Sequence, residues 1–331
     1  GTIDMSSVWT QGKDEIVAIT ALGSNLIVFG RNHIVIWADG SGSEIGLDPT
    51  VMYVVDTIEG TGCIARDSVQ NIGEGDVWFL SRHGVQSLGR VIQQKNNPLA
   101  SITKNIKDHL QAYLATEIGA DANLDAVRSV HSPEEGFYLL FLPQNDRVIC
   151  VDTKRPFQDD LGETHYAITE WTLGGTIKCG LSRQNGDLLF GSSGVVGKYT
   201  GNDDNGSAFT MSFWGAWLDL DEFNERLKML KEMSAIIQIG GTGSATYRWE
   251  FDFLGDSFSK TLSYQAPTSA EFGIAEFGND EFSGALTIQR KNFPGVGQGQ
   301  FLRVGATISI DGFNFVLQQL QLIPKIGRLV A

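Results

Sequence analysis

The chain has 331 residues, 42% of them hydrophobic, and its 39 acidic against 25 basic side chains give a net charge of -14. A single core stops growing at roughly 250–300 residues, so two domains are expected. The acidic balance argues against a nucleic-acid reader, because affinity for phosphates rests on Lys and Arg displacing counterions.

Thirty-nine glycines against 8 prolines, with 19 phenylalanines and 7 tryptophans, suit many short strands closed by tight turns. Cys63, Cys150 and Cys179 are odd in number and widely spaced. They suggest neither a complete disulfide framework nor a paired-thiolate metal site, and folding in a reducing cytoplasm is the plain expectation. No apolar run approaches the ~18–20 residues of a membrane span, and no charged-then-apolar leader opens the chain, so no membrane insertion is expected. The sequence opens at Gly1 without Met, which leads us to expect that residues precede it.

In chain order, one pattern recurs four times: an apolar run, a short polar turn and a second apolar run. Its copies are 26–29 with 34–37, 77–80 with 85–88, 137–142 with 148–151, and 188–190 with 195–199. The starting points lie roughly 50–60 residues apart, near the ~40–50 of propeller blades. A short β-like stretch precedes each hairpin (17–22, 63–72, 127–131, 177–181), and an outer-strand candidate follows the first, third and fourth (52–58, 166–171, 209–218). Helical spacing of Ile102, Ile106, His109, Leu110, Tyr113, Leu114 and Glu117 predicts an inserted helix within 99–118. The expectation is an all-β chain: a β-propeller-like domain over 1–220, interrupted by that helix. Four blades are few for a closed propeller, so preceding sequence or a neighbouring subunit is expected to complete it. The alternative is a stack of ordinary β-meanders with similar spacing.

Over 222–235, Phe223, Leu227, Leu230 and Met233 fall close to one helical face, predicting a linking helix and a boundary at 220/221. Beyond it, 247–253, 259–264, 286–291, 301–310 and 313–322 read as strands of a C-terminal antiparallel β-sandwich over 221–331. Asp311-Gly312 is a hairpin-turn dipeptide between two of them.

Signatures of chemistry are sparse. Histidines 33, 83, 109, 131 and 165 are scattered, with no His-Glu-x-x-His pair and no neighbouring Cys pair. Neither a Gly-x-Ser-x-Gly elbow nor a phosphate loop is present, and the Gly-rich run 240–244 reads as a hairpin loop. The loop 201–206 lacks the first and last carboxylates of a calcium loop and reads as a polar turn. Acidic pairs Asp159-Asp160 and Glu134-Glu135 lie in apparent loops, without the repeated turn that marks sialidase blades. The expectation is a protein that is not an enzyme, with no catalytic residues, no cofactor and no metal. In 270–284 an acidic residue, a Phe and a small residue recur about every five positions. Phe272, Phe277 and Phe282 either pin a loop into the sandwich or anchor an intersubunit strap.

Three stretches resemble a known family: Asp14–Thr20 leading into 26–30, His33-Ile34-Val35-Ile36-Trp37, and 75–85. They are similar to the tail nozzle, or packaged-DNA stabilisation, proteins of podoviruses, the short-tailed bacteriophages; the run Phe272–Phe282 before a C-terminal sandwich resembles that family too. The resemblance implies a homo-oligomeric, hexameric ring in the virion tail, assembled in the host cytoplasm. It would meet a tail adaptor or tubular protein and tail fibre or needle proteins, and surround genomic DNA that passes without sequence-specific binding. A surface rich in carboxylates suits a wall that phosphates must slide past. The competing class is a β-propeller adhesin or carbohydrate-binding module of a phage or cell surface, in which Trp171, Trp214 and Trp217 stack on sugars. A third class, glycoside hydrolase, needs a pocket holding two carboxylates about 5–9.5 Å apart.

Overall fold

The computed structural model describes residues 5, 8–9, 14–40, 51–73, 75–94, 101–119, 121–158, 162–219, 226–253, 257–265 and 287–329. It is an all-β chain of several small antiparallel sheets, none closed into a barrel, with a few short helices. Two compact units divide it, Gly1–Tyr199 and Thr200–Ala331.

In the first unit, four antiparallel sheets follow one another. The first is a meander of β1 (Ile16–Leu22), β2 (Asn25–Gly30), β3 (His33–Asp39) and β4 (Met52–Glu59), paired in that order. The second joins β5 (Gln70–Ile72), β6 (Asp76–Ser81) and β7 (Gly84–Ser87). Helices α1 (Leu88–Gln94), α2 (Lys107–Glu117) and α3 (Asp121–Leu124) come next. The third sheet contains β8 (Arg128–Ser132), β9 (Phe137–Leu142) and β10 (Arg147–Asp152). After a small pair, β11 (Phe157–Gln158) and β12 (Thr164–His165), β13 (Ile168–Trp171) adds to the outer edge of β10. The fourth sheet is β14 (Cys179–Ser182), β15 (Leu188–Ser192) and β16 (Val195–Lys198). All four expected hairpins are paired as read.

The continuous apolar runs of β2, β6 and β9 are explained by burial on both faces, because each sheet shares a core with the next. Ile27, Phe29, Ile34 and Ile36 meet Val77 and Phe79, with the Phe29 and Phe79 rings 4.9 Å apart. On the opposite face of β6, Trp78 and Leu80 meet Tyr138, Leu140 and Leu142, and α2 adds Leu110 and Leu114 to this core. The alternate residues Leu139 and Phe141 join Leu188 and Phe190, with 6.1 Å between the two Phe rings. Gly180 lets these last sheets close up: a Cβ there would lie 2.7 Å from Val130 and 2.8 Å from Phe141. Trp9 packs on the remaining face of the first sheet, against Val28, Val35 and Trp37.

Where a fourth strand would follow β7, the chain turns into α1. Ser87 Oγ accepts the Arg90 N–H at 3.2 Å, as a helix N-cap does, and donates to Asp76, whose carboxylate also accepts from Gly89 N–H at 2.9 Å. The free edge of β7 is then closed by the segment before α2, through Ile102 N–H to Val85 C=O at 2.9 Å and Val85 N–H to Thr103 Oγ1 at 3.1 Å. The expected helical insertion is present as α2. Its buried Glu117 accepts from Gln144 N–H and Asn145 Nδ2, both at 2.9 Å, and so fastens the helix to the β9–β10 turn.

The second unit contains β17 (Phe209–Trp214), β18 (Arg226–Ile239), β19 (Gly243–Phe251), β20 (Ser257–Tyr264), β21 (Thr287–Pro294), β22 (Gln298–Gly299), β23 (Leu302–Ile310) and β24 (Phe315–Leu329). One sheet runs β17-β23-β19-β20; in the other, β18 lies between β24 on one side and β21 with β22 on the other. Tyr247, Trp249 and Ile308 of the first share a core with Met233, Ile237 and Phe293 of the second.

The structure departs from four expectations. Residues 226–239 are a strand, not a linking helix, and 220–225 lie outside the described residues. Lys228 and Leu230, then Met233, Ala235, Ile237 and Ile239, are buried at every second position, with Ser234 buried as well, and an irregularity at Leu230/Glu232 inserts one residue. That bulge turns one step of two into a step of three, which imitates helical spacing. The division falls at 199/200 rather than 220/221, since β17 pairs with β23 and so belongs to the second unit instead of closing the fourth sheet. Asp311-Gly312 and the run 240–244 each reverse the chain as expected. Neither closes a hairpin, because each joins strands of different sheets.

Candidate assembly surfaces

Two strand edges of the first unit carry exposed apolar side chains. On β4, Tyr53 is 55% and Val55 51% exposed; on β16, Val195 is 65% and Val196 72% exposed. Each strand has a neighbour on one side, and among the described residues none pairs with the other side. The Tyr199 N–H donates to Leu188 C=O at 2.8 Å, so the antiparallel alternation turns the backbone groups of Val196 and Lys198 away from β15. Lys198 pairs with Asp187 at 2.7 Å, which holds the Asp187 carboxyl below its ordinary range.

In the second unit the Arg303 guanidinium lies over two rings, 4.7 Å from the centroid of Trp214 and 4.9 Å from that of Trp217. It also pairs with the buried Glu250. Trp217 packs on Phe253 at 4.0 Å, and Phe253 reaches Phe301. Lys228, fully buried, is neutralised by Asp219 and donates to Gln300 C=O at 2.9 Å. In β17, Phe209, Met211 and Phe213 lie opposite Ile310, Ile308 and Ala306 of the core yet remain exposed.

A groove of about 550 Å³ runs along β1, lined by its residues 16–20 with Arg66, Asp67, Val69, Gln70 and Ser129. Asp67 sits between two cations, Arg128 at 2.5 Å and Arg66 at 3.0 Å. The one carboxylate of the groove is thus held in ion pairs with two guanidinium groups.

The three expected anchors, Phe272, Phe277 and Phe282, lie outside the described residues, as do Asp159 and Asp160. Glu134 and Glu135 are exposed in the β8–β9 turn. Trp171 is stacked on Tyr199 with 5.8 Å between centroids. Among the described residues no three His, Cys, Asp or Glu side chains gather as a metal site. Burial pushes the Cys63 thiol up to about 11 and the Cys150 thiol to about 12, leaving both protonated, while Cys179 is exposed. No helix among the described residues is long and apolar enough to cross a membrane. Sequence reasoning missed Arg303 and the bare edge of β16. The first is an ordinary strand residue until Trp214 and Trp217 come beside it, and the second follows from β17 pairing elsewhere.

No family model matches the chain, and no curated protein does. Among solved structures, it is weakly similar to the extracellular domain of BT4673 from B. thetaiotaomicron, at 9% identity over 60% of this chain and 29% of that one, with a TM-score of 0.19. It is also weakly similar to a Cry1Da tryptic core variant from Bacillus thuringiensis, at 12% identity over 93% of this chain and 50% of that one, with a TM-score of 0.19. The chain thus spans half or less of these proteins, and at such TM-scores neither carries an argument about fold or function.

Proposed function

We propose that this chain is a non-catalytic structural subunit of a short bacteriophage tail, a nozzle component that forms a ring around the DNA exit channel, retains packaged DNA and guides its ejection. In this reading the four sheets of the first unit are propeller blades and the two sheets of the second are a β-sandwich. The observation that carries it is the succession of four antiparallel sheets, each sharing an apolar core with the next, with bare apolar edges at β4 and β16. Such edges favour sheet pairing between chains. The net charge of -14 suits a wall that DNA passes without sticking. The virion tail is the proposed location, and the adaptor and fibre or needle proteins are the proposed neighbours.

The carbohydrate-binding alternative draws less support. Its three tryptophans are already engaged, Trp171 with Tyr199 and the other two with Arg303. Mass photometry of the purified chain, followed by electron-microscope class averages, tests the proposal. The expected result is a ring with an open centre and sixfold or nearly sixfold symmetry. A stable monomer would overturn it, and binding of that monomer on a glycan array would favour the alternative.

A further inference from the structure

The first three sheets have something on the outer edge of their third strand: β4 on β3, the segment Ser101–Thr103 on β7, and β13 on β10. In the fourth sheet that position is vacant among the described residues, because the next strand, β17, pairs with β23. The vacancy exposes Val195 and Val196 together with outward backbone groups, the arrangement that accepts an added strand.

We infer that β4 of a second copy of this chain fills the vacancy, joining the four-stranded sheet of one copy to the three-stranded sheet of the next. The inference rests on the ring reading above and says where its copies meet. Three observations select β4. It is an eight-residue edge strand whose Tyr53, Val54 and Val55 are all exposed, without the Lys or Pro that commonly protects such an edge. The charge of its sheet is opposite to that of the fourth sheet as a whole: β3 and β4 contribute Asp39, Asp56 and Glu59 with no Lys or Arg, whereas residues 172–200 contribute Lys178 and Arg183 beside β14 and Lys198 on β16, the last paired with Asp187, their one acidic residue. Finally, β4 already plays this part within its own copy, covering β3 in the position that β16 lacks. A contact of β4 with β16 joins two different surfaces, so it repeats head to tail and closes into a ring when the rotation allows.

Single variants and their mixture, sized by mass photometry, test this. Val196→Pro and Val54→Pro each remove a backbone donor and bar an incoming strand. Val196→Lys and Val54→Lys keep the donor but add an edge charge, and circular dichroism checks that all four variants remain folded. Each variant alone is expected to be monomeric where the unaltered chain is a ring. A Val196 variant mixed with a Val54 variant retains one good surface on each, and is expected to give dimers and nothing larger. Folded variants that still form the ring, or a mixture that stays monomeric, would overturn the pairing while leaving the ring reading in place. An unaltered chain that remains monomeric would overturn both.

Discussion

The Asp14 carboxylate accepts hydrogen bonds from the N–H groups of Arg31 and Asn32, at 3.1 and 2.9 Å, and from His33 Nδ1 at 2.8 Å. It thereby pins the β2–β3 turn. Burial raises its pKa, but the bonds from Asn32 and His33 outweigh that and hold the carboxyl below its ordinary value of 3.8. The folded state therefore binds this proton less tightly than the unfolded state. Its stabilising contribution is complete above about pH 4–5 and is lost as the pH falls through the usual carboxylate range and below. Asp14→Asn is expected to lose about 2 kcal/mol at neutral pH, the scale of hydrogen bonds to a charged group. Thermal melts between pH 5 and 2 check the sign: the variant should lose less stability across that span than the unaltered chain.

Among the elements, the four hairpins were legible because their apolar runs and short polar turns are local signals that tertiary packing did not override. The α2 insertion was legible through Leu110 and Leu114, one turn apart on a single buried face. Strand β18 was not, because the bulge beside Lys231 set the buried Leu230 and Met233 three residues apart, and the half-buried Leu227 three residues before Leu230 extends that helical interval. Nor was the destination of the chain after Gly240 or Asp311: a Gly-rich reversal shows that the chain turns back, while the sheet it enters is decided by core residues far away in sequence. The bare edge of β16 was hidden for the same reason. Strand and helix readings of 226–239 differ in their side-chain burial. In the strand, Met233 is buried and Met229 is 46% exposed. Met233→Ala is expected to cost about 3 kcal/mol and Met229→Ala less than about 0.5 kcal/mol, measured by urea unfolding.

At the scale of the molecule, the two units have separate cores, one a succession of sheets and the other shared by two sheets. Scanning calorimetry should resolve two transitions, since multi-domain chains depart from all-or-none unfolding. Asp14→Asn should lower one of them and Met233→Ala the other. A single transition shifted equally by both variants would show that the units unfold as one.

The pairing of β17 with β23 also bears on how the chain is made. Each hairpin of the first unit joins neighbours in sequence, so its sheets can form in turn as they leave the ribosome, N-terminal first. Strand β17, Phe209–Trp214, emerges early but waits for Leu302–Ile310, and β18 waits for Phe315–Leu329. Closing such distant contacts is slow. Until Leu302–Ile310 has been made, Phe209, Met211 and Phe213 have no strand to pair with, and this part of the nascent chain is the one expected to lean most on chaperones.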